Sequence, residues 1–346
     1  MLEAIFRPAA VPSGKDSSSR TPSWTEGGGR TGSKGPRRSF ENWEAKMDDF
    51  RFENVKVLFG EIDRNARDGL KSALYHHGFR DVRITDSMSV IDETASNDAV
   101  DLLVCNTEYA DGDVHDVIRK IRHHEIGSNP FVLIIMLTEN LSKGTIRKAI
   151  NSGPDDILAK PISAAKLYER IVNLTRDRKR FIVTSDYIGP DRRKTPRPGT
   201  EKIPEIEVPN PLKILALDDV HRNQLQEDIK RCSTLINELK IERYAVQIAY
   251  LAEQILSCYA GGMADADVTP HLNRLVSVSK DICCRLERFD HAKKDHKEAL
   301  CQPMVELAGR LRADPSSRDP HDIDLLRQLA EDIRSAFHGK RIAAQP

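Results

Sequence analysis

In the stretch DLLVCNTEYADG (101–112), the apolar run Leu102–Cys105 stops at Asn106, Thr107 and Glu108 and then at a glycine turn. That is the pattern of a buried parallel strand that delivers one side chain to the rim of a sheet, where an α/β fold usually carries its chemistry. The side chain delivered is Asn106, a neutral amide that donates and accepts hydrogen bonds but is no acid, base or nucleophile. Elsewhere, DYIGPDRRK (186–194) brings together Tyr187 and the pair Arg192–Arg193. Paired guanidiniums suit an anion or an acidic partner, and the same residues can instead wrap a preceding helix. His76–His77, His123–His124 and Cys283–Cys284 are sequence neighbours, so each pair diverges around its helix and makes a poor metal site. No GxxxxGK[ST] loop and no HExxH helix occurs. These patterns assign no catalytic residue, no cofactor and no metal.

The elements that must position Asn106 lie between residues 52 and 178. VKVLFG (55–60) and DVRITD (81–86) read as strands, DLLVC as a third, FVLIIML (131–137) as the most apolar, and DILAK (156–160) as a short last one. Amphipathic segments separate them: Leu70, Ala73 and Leu74 at helical spacing with Gly78 as a stop, a helix around Val90, Ile91 and Ala95, VIRKIRHH (117–124), KGTIRKAINSG (143–153) and SAAKLYERIVNLTRD. Five such units predict an α/β fold, a doubly wound parallel sheet with helices on both faces.

The flanks differ in composition. Residues 1–50 are rich in Ser, Gly, Pro and Arg and are expected to be disordered, with Trp24 or Phe40–Trp43 as the places where a docking peptide would lie. Residues 179–212 are dense in Pro and Arg and read as an extended linker. Residues 213–340 read as wholly helical, beginning with a stripe from Leu225 to Leu256 along one segment that is too long for a small compact domain. Its length suggests a helical hairpin or a dimer seam, with a monomeric bundle as the other reading. Thr269–Pro270 and Asp319–Pro320 are expected helix starts.

Across the 346 residues, Lys+Arg and Asp+Glu are both 53, so no global charge points to nucleic acid or to a membrane surface. No apolar run approaches the roughly 18–20 residues of a membrane-spanning helix. The N-terminus, MLEAIFRPAAVPSGK, lacks the basic start and continuous apolar run of a signal peptide. The six cysteines form no CxxC pair and fall mostly at apolar positions, as reduced thiols in a cytoplasmic protein do.

The segment 52–178 resembles the receiver domain of bacterial response regulators, which have the flavodoxin-like strand order 2-1-3-4-5. Receivers carry an acidic pair after the first strand, a phosphorylated Asp after the third, a Thr or Ser after the fourth and a Lys–Pro after the fifth. Here MLTEN places Thr138 at the hydroxyl position, and LAKPIS places Lys160 and Pro161 at the Lys–Pro position. The resemblance implies in-line phosphoryl transfer to a carboxylate around a divalent cation, with the hydroxyl and ammonium holding phosphoryl oxygens. This sequence departs from that set. Asn106 stands at the phosphoacceptor position, and FGEID puts Glu61 at the first acidic position but Ile62 at the second. Ile157 takes the place of an aromatic that many receivers swing inward on activation. Asp63 is pointed elsewhere by strand alternation, and Glu108, Asp111 and Asp113 lie beyond the strand end.

The expectation is therefore a degenerate receiver that is not phosphorylated, holds no Mg²⁺, and retains its fold as a binding surface. Asn106 is expected to hydrogen-bond Lys160 and Thr138 without adding charge. The partner expected is a histidine kinase, a phosphotransfer protein or another receiver, with a homodimer through the C-terminal helices as a further possibility. The alternative is a phosphorylatable regulator with an unorthodox acceptor that controls the helical output. Tyrosine–GPDRR tails like 187–193 follow some receiver domains. KEAL (297–300) has no (βα)₈ barrel around it to make it a phosphodiesterase signature, and His291 and His296 lack the small residues that surround a phosphotransfer histidine.

Overall fold

Strands β1 (Lys56–Gly60), β2 (Asp81–Thr85), β3 (Leu102–Asn106), β4 (Leu133–Thr138) and β5 (Asp156–Ala159) form one parallel sheet in the order β2-β1-β3-β4-β5. The computed structural model describes residues 50–193, 203–217, 222–262, 265–289 and 294–337. The expected tail, apart from residue 50, lies outside these residues, as does His291. Every residue of β3 and β4 is buried, which is why both read as unbroken apolar runs. Side chains alternate between two cores: Val57, Phe59, Val104 and Ile135 on one face, Leu58, Leu103, Cys105, Ile134 and Met136 on the other. Helices α1 (Arg64–His76), α2 (Met88–Asn97), α3 (Val114–Arg122), α4 (Lys143–Ser152) and α5 (Ala164–Arg176) connect the strands. Asp63, Asp113, Ser142 and Ser163 accept backbone N–H groups at the N-termini of α1, α3, α4 and α5. Strand C-termini and helix N-termini thus share one edge, and the pocket lies there.

Segment 179–212 is more than an extended linker. Its apolar FIV and IGP triplets pair as β6 (Phe181–Val183) and β7 (Ile188–Pro190), and β8 (Glu205–Ile206) joins them in a small antiparallel sheet, β7-β6-β8. This sheet is fastened at the opposite edge of the parallel sheet by Asp155. Asp155 Oδ2 accepts from Arg122 Nη2 at 2.8 Å, and Asp155 Oδ1 accepts from Arg178 Nε at 2.8 Å. The remaining Arg122 donors reach the carbonyls of Gly153, Pro130 and Val132. Both guanidiniums lie over the Phe181 ring, 5.3 Å and 4.9 Å from its centroid. Burial alone would raise the Asp155 carboxyl, but Arg178 and Arg122 hold it below the usual carboxylate range.

The short helix α6 (Pro211–Leu217) then leads to α7 (Arg222–Ala260), α8 (Asp265–Phe289), α9 (Lys294–Ala313) and α10 (Pro320–Phe337). Helices α7 to α10 pack in a closed ring, α7 on α8, α8 on α9, α9 on α10 and α10 on α7. Their core includes Ile248, Ile255, Leu272, Ile282, Met304, Leu307, Leu326 and Ile333. The first half of α7 does something else: Leu225, Ile229, Cys232 and Ile236 pack with Phe131, Phe181, Val183, Ile188 and Ile206. One helix of 39 residues therefore serves two cores within a single chain. Helix α8 starts at Asp265, so Pro270 lies inside it rather than at its first position. The helical region also touches the end of α3, where Arg288 Nη1 donates to the His124 carbonyl at 2.9 Å.

Removing Asp155 leaves two guanidiniums buried without a counter-charge. Asp155→Ala is expected to lower unfolding stability by about 3–5 kcal/mol in urea melts, whereas Arg83→Ala, in the exposed Arg83–Asp98 pair, costs less than about 1 kcal/mol. His123 supplies a pH test. Burial, then Lys240, Arg285 and Arg119, push its imidazole down to about 2. The unfolded chain binds a proton here below about 6.5 and the native chain does not, so stability falls as pH drops below that value, by up to about 1.4 kcal/mol per unit. His123→Gln is expected to flatten the fall of Tm between roughly pH 6 and pH 4.

Candidate functional site

Parallel register sets Gly60 beside Cys105, Asn106 beside Leu137, and Thr138 beside Ala159, so Glu61, Asn106, Thr138 and Lys160 emerge on one edge. Glu61 is wholly buried at the centre. Its Oε1 accepts from Lys160 Nζ at 2.7 Å, from the Asp63 backbone N–H at 3.0 Å and from Asn106 Nδ2 at 3.1 Å. The expected bonds from Asn106 to Lys160 and Thr138 are therefore absent. The carboxylate is the stronger acceptor and draws both the amide and the ammonium, so it stands between them. Thr138 Oγ1 accepts from Thr107 Oγ1 at 3.0 Å and donates to the Asn140 carbonyl at 3.1 Å. Glu61 Oε2 and Asn106 Oδ1 are buried without a hydrogen-bond partner.

The other acids have separate work. Asp63 caps α1, and the Ala66 and Asn65 N–H groups hold its carboxyl below the usual range. Asp111 caps α2 through the Met88 and Ser89 N–H groups, where Ser87 makes no cap bond of its own. Asp113 caps α3 and pairs with Lys148 at 3.0 Å. Glu108 is exposed in the loop after β3, and Ile62 is turned to solvent, 51% exposed. Glu139 reaches Lys160 at 3.4 Å but is 79% exposed, so it contributes little. Pro161 is exposed beyond Lys160, and Ile157 lies half-buried in β5 against the second core.

Sequence reasoning missed Tyr109. Its hydroxyl accepts from the Asn106 N–H at 3.0 Å and donates to the Gly60 carbonyl at 2.9 Å, pinning the ends of β1 and β3 together. A Cβ at Gly60 would sit 2.3 Å from that hydroxyl, so glycine is required there. Burial pushes the phenol above its ordinary range. The signal was present: VKVLFG ends in a glycine that a strand has no use for, and an aromatic stands three residues after Asn106 in an otherwise polar loop.

The linker motif makes several bonds within the chain. Tyr187 Oη donates to the Pro190 carbonyl at 2.9 Å, Arg192 bonds the Pro154 carbonyl, and Arg193 pairs with Asp191 at 2.7 Å. These bonds run to the loop before β5 and within the motif itself, and none of them reaches a preceding helix.

The pocket's donor set does not fit a site for Mg²⁺. It offers one carboxylate, already joined to an ammonium, one amide oxygen, and an aliphatic side chain facing away. A hard cation that sheds water reluctantly needs more carboxylate than this. Among the described residues no group of three His, Cys, Asp or Glu side chains gathers, and no helix is long and apolar enough to cross a membrane.

A family model, the response regulator receiver domain, matches residues 57–172. No curated protein matches the sequence. A CheY-like receiver domain protein from Methanospirillum hungatei JF-1 is 21% identical over 34% of this chain and 91% of its own, with a TM-score of 0.32. An orphan response regulator of H. pylori is 21% identical over 36% of this chain and 97% of its own, with a TM-score of 0.30. Residues 57–172 of the chain are thus a response regulator receiver domain, the module of two-component signalling, and a helical region follows it.

Proposed function

We propose that this receiver domain takes no phosphoryl group, and that the protein acts by binding another protein of a bacterial two-component or phosphorelay pathway in the cytoplasm. The observation that carries this reading is the chain Asn106–Glu61–Lys160. A carboxylate nucleophile is replaced by an amide, and the one carboxylate left serves as the counter-ion of the lysine. Nothing in this arrangement needs a metal or a phosphoryl group to become neutral, so the domain works as a scaffold. The partner is a histidine kinase, a phosphotransfer protein or another receiver. The exposed aliphatic side chains Ile62 and Leu141, on the loops after β1 and β4, favour protein contact at the pocket rim.

The test is intact-mass analysis after incubation with Mg²⁺ and acetyl phosphate. The native protein is expected to gain no mass, and the Ile62→Asp, Asn106→Asp double variant to gain one phosphoryl group. A phosphoryl adduct on the native protein would overturn the reading in favour of an unorthodox acceptor. The same variant tests the electrostatics. Asn106→Asp sets a carboxylate about 3 Å from Glu61 and Ile62→Asp adds a third acid, with one lysine to offset them. In metal-free buffer the double variant is expected to melt below the native protein. An equal or higher Tm would refute that account.

A further inference from the structure

Helices α7 to α10 bury their apolar faces against one another, which leaves their outer faces to be polar. Among the described residues of these four helices, two large apolar side chains break that pattern: Val246 is 43% exposed and Tyr250 is 56% exposed. Both stand on the second half of α7, four residues apart, so they lie one above the other on a single face. Ala245, Ile248, Leu251 and Ala252 point the opposite way, into the core of the ring.

The exposed face continues in both directions at alternating spacings of three and four, through Leu239, Arg243, Val246, Tyr250, Glu253 and Ser257. That is the spacing of a helix–helix seam, narrower than the stripe a helix turns to a globular core. Its centre is the apolar pair. Arg243 stands three residues before Val246, and Glu253 three residues after Tyr250. Neither charge makes an ion pair among the described residues. Single exposed apolar residues need no explanation, but a pair at seam spacing between two unpaired opposite charges has a definite complement.

The charges settle what that complement is. The stripe maps onto itself when it is reversed about residue 248. Two antiparallel copies set Val246 of each against Tyr250 of the other, and Arg243 of each against Glu253 of the other. In a parallel pair Arg243 would face Arg243 and Glu253 would face Glu253, and like charges brought together repel. A surface that is its own complement makes an isologous two-fold contact. Glu242, half-buried, flanks the stripe on the side that Glu253 of the second copy approaches, and this like charge weakens the contact. From Arg243 to Glu253 the seam spans about 15 Å, so the area it covers is below that of a standard stable interface.

We propose that two copies of the chain associate through the outer face of the second half of α7, antiparallel about a two-fold axis beside residue 248. The first halves of α7, which carry the receiver domains, then point away from each other.

Sedimentation velocity of the full chain, over about 1–200 µM, is expected to show a monomer–dimer equilibrium with a micromolar Kd. Tyr250→Glu is expected to leave the chain monomeric. Arg243→Glu and Glu253→Arg are each expected to raise Kd by about tenfold, and their combination to return it to within about threefold of the native value. Glu242→Gln is expected to lower Kd. Far-UV circular dichroism and Tm, unchanged in each variant because the substituted side chains face outward, separate lost association from lost folding. If Tyr250→Glu does not fold, the charge exchange carries the test. A chain that stays monomeric over this range would overturn the proposal. So would a dimer that Tyr250→Glu leaves intact, which marks another face, or one that the double exchange does not restore, which marks another orientation.

Discussion

The Asp155 carboxylate is the interaction on which the rest of the molecule depends. It stands at the edge of the parallel sheet away from the pocket, accepts the Ile134 N–H, and holds the guanidiniums of Arg122 and Arg178. Through Arg122 it fixes the end of α3. Through Arg178 it turns the chain after α5 so that the Phe181 ring comes within reach of both cations. The small sheet that begins at Phe181 is the surface on which α7 lands. A buried ion pair is weak evidence for net stability. Its role here is directional, since planar guanidiniums accept only one arrangement of carboxylate and carbonyls.

The two edges of the receiver sheet treat charge in opposite ways. At the pocket, one carboxylate meets one ammonium and one amide, and Asp63, Asp111 and Asp113 cap helices whose positive ends they complement. The Glu61–Lys160 pair there balances without any added ion. At the far edge, cations outnumber carboxylates, and carbonyls from strand ends and turns take up the excess donors.

Much of this architecture was legible in the residues. Unbroken apolar runs marked β3 and β4 because both faces of those strands are covered, Gly78 marked a helix end because the chain turns there with a positive φ, and Asp319 marked a helix start because its carboxylate caps the first turn. That Glu61, Asn106, Thr138 and Lys160 share one edge was legible too, since each stands at the end of a strand whose register is set by packing, whereas Ile62 turns to solvent and Pro161 is exposed. Its wiring was not. Whether Asn106 meets Lys160 or Glu61 depends on a carboxylate whose position is fixed by α1 and by the Asp63 N–H, and neither leaves a periodic trace. The hairpin at 181–190 was hidden because its strands are three residues long and sit among prolines and arginines that signal a linker. Tyr109 escaped because its value lies in a distant glycine. The length of α7 was plain, but two successive partners on one stripe look like a single long seam when only spacing is visible.

The shared helix has a consequence for how the protein comes apart. At 1.5 Å per residue, α7 extends about 58 Å, and half of it is core for one body while half is core for the other. Helical hydrogen bonds run unbroken across the midpoint, so melting either half frays the other. The chain should therefore lose its structure in one cooperative step, not as two independent lobes. A fragment cut at residue 178 would lack the helix that covers Phe131 and would carry an uncovered apolar floor. The boundary that looks natural in sequence is a poor place to divide the molecule.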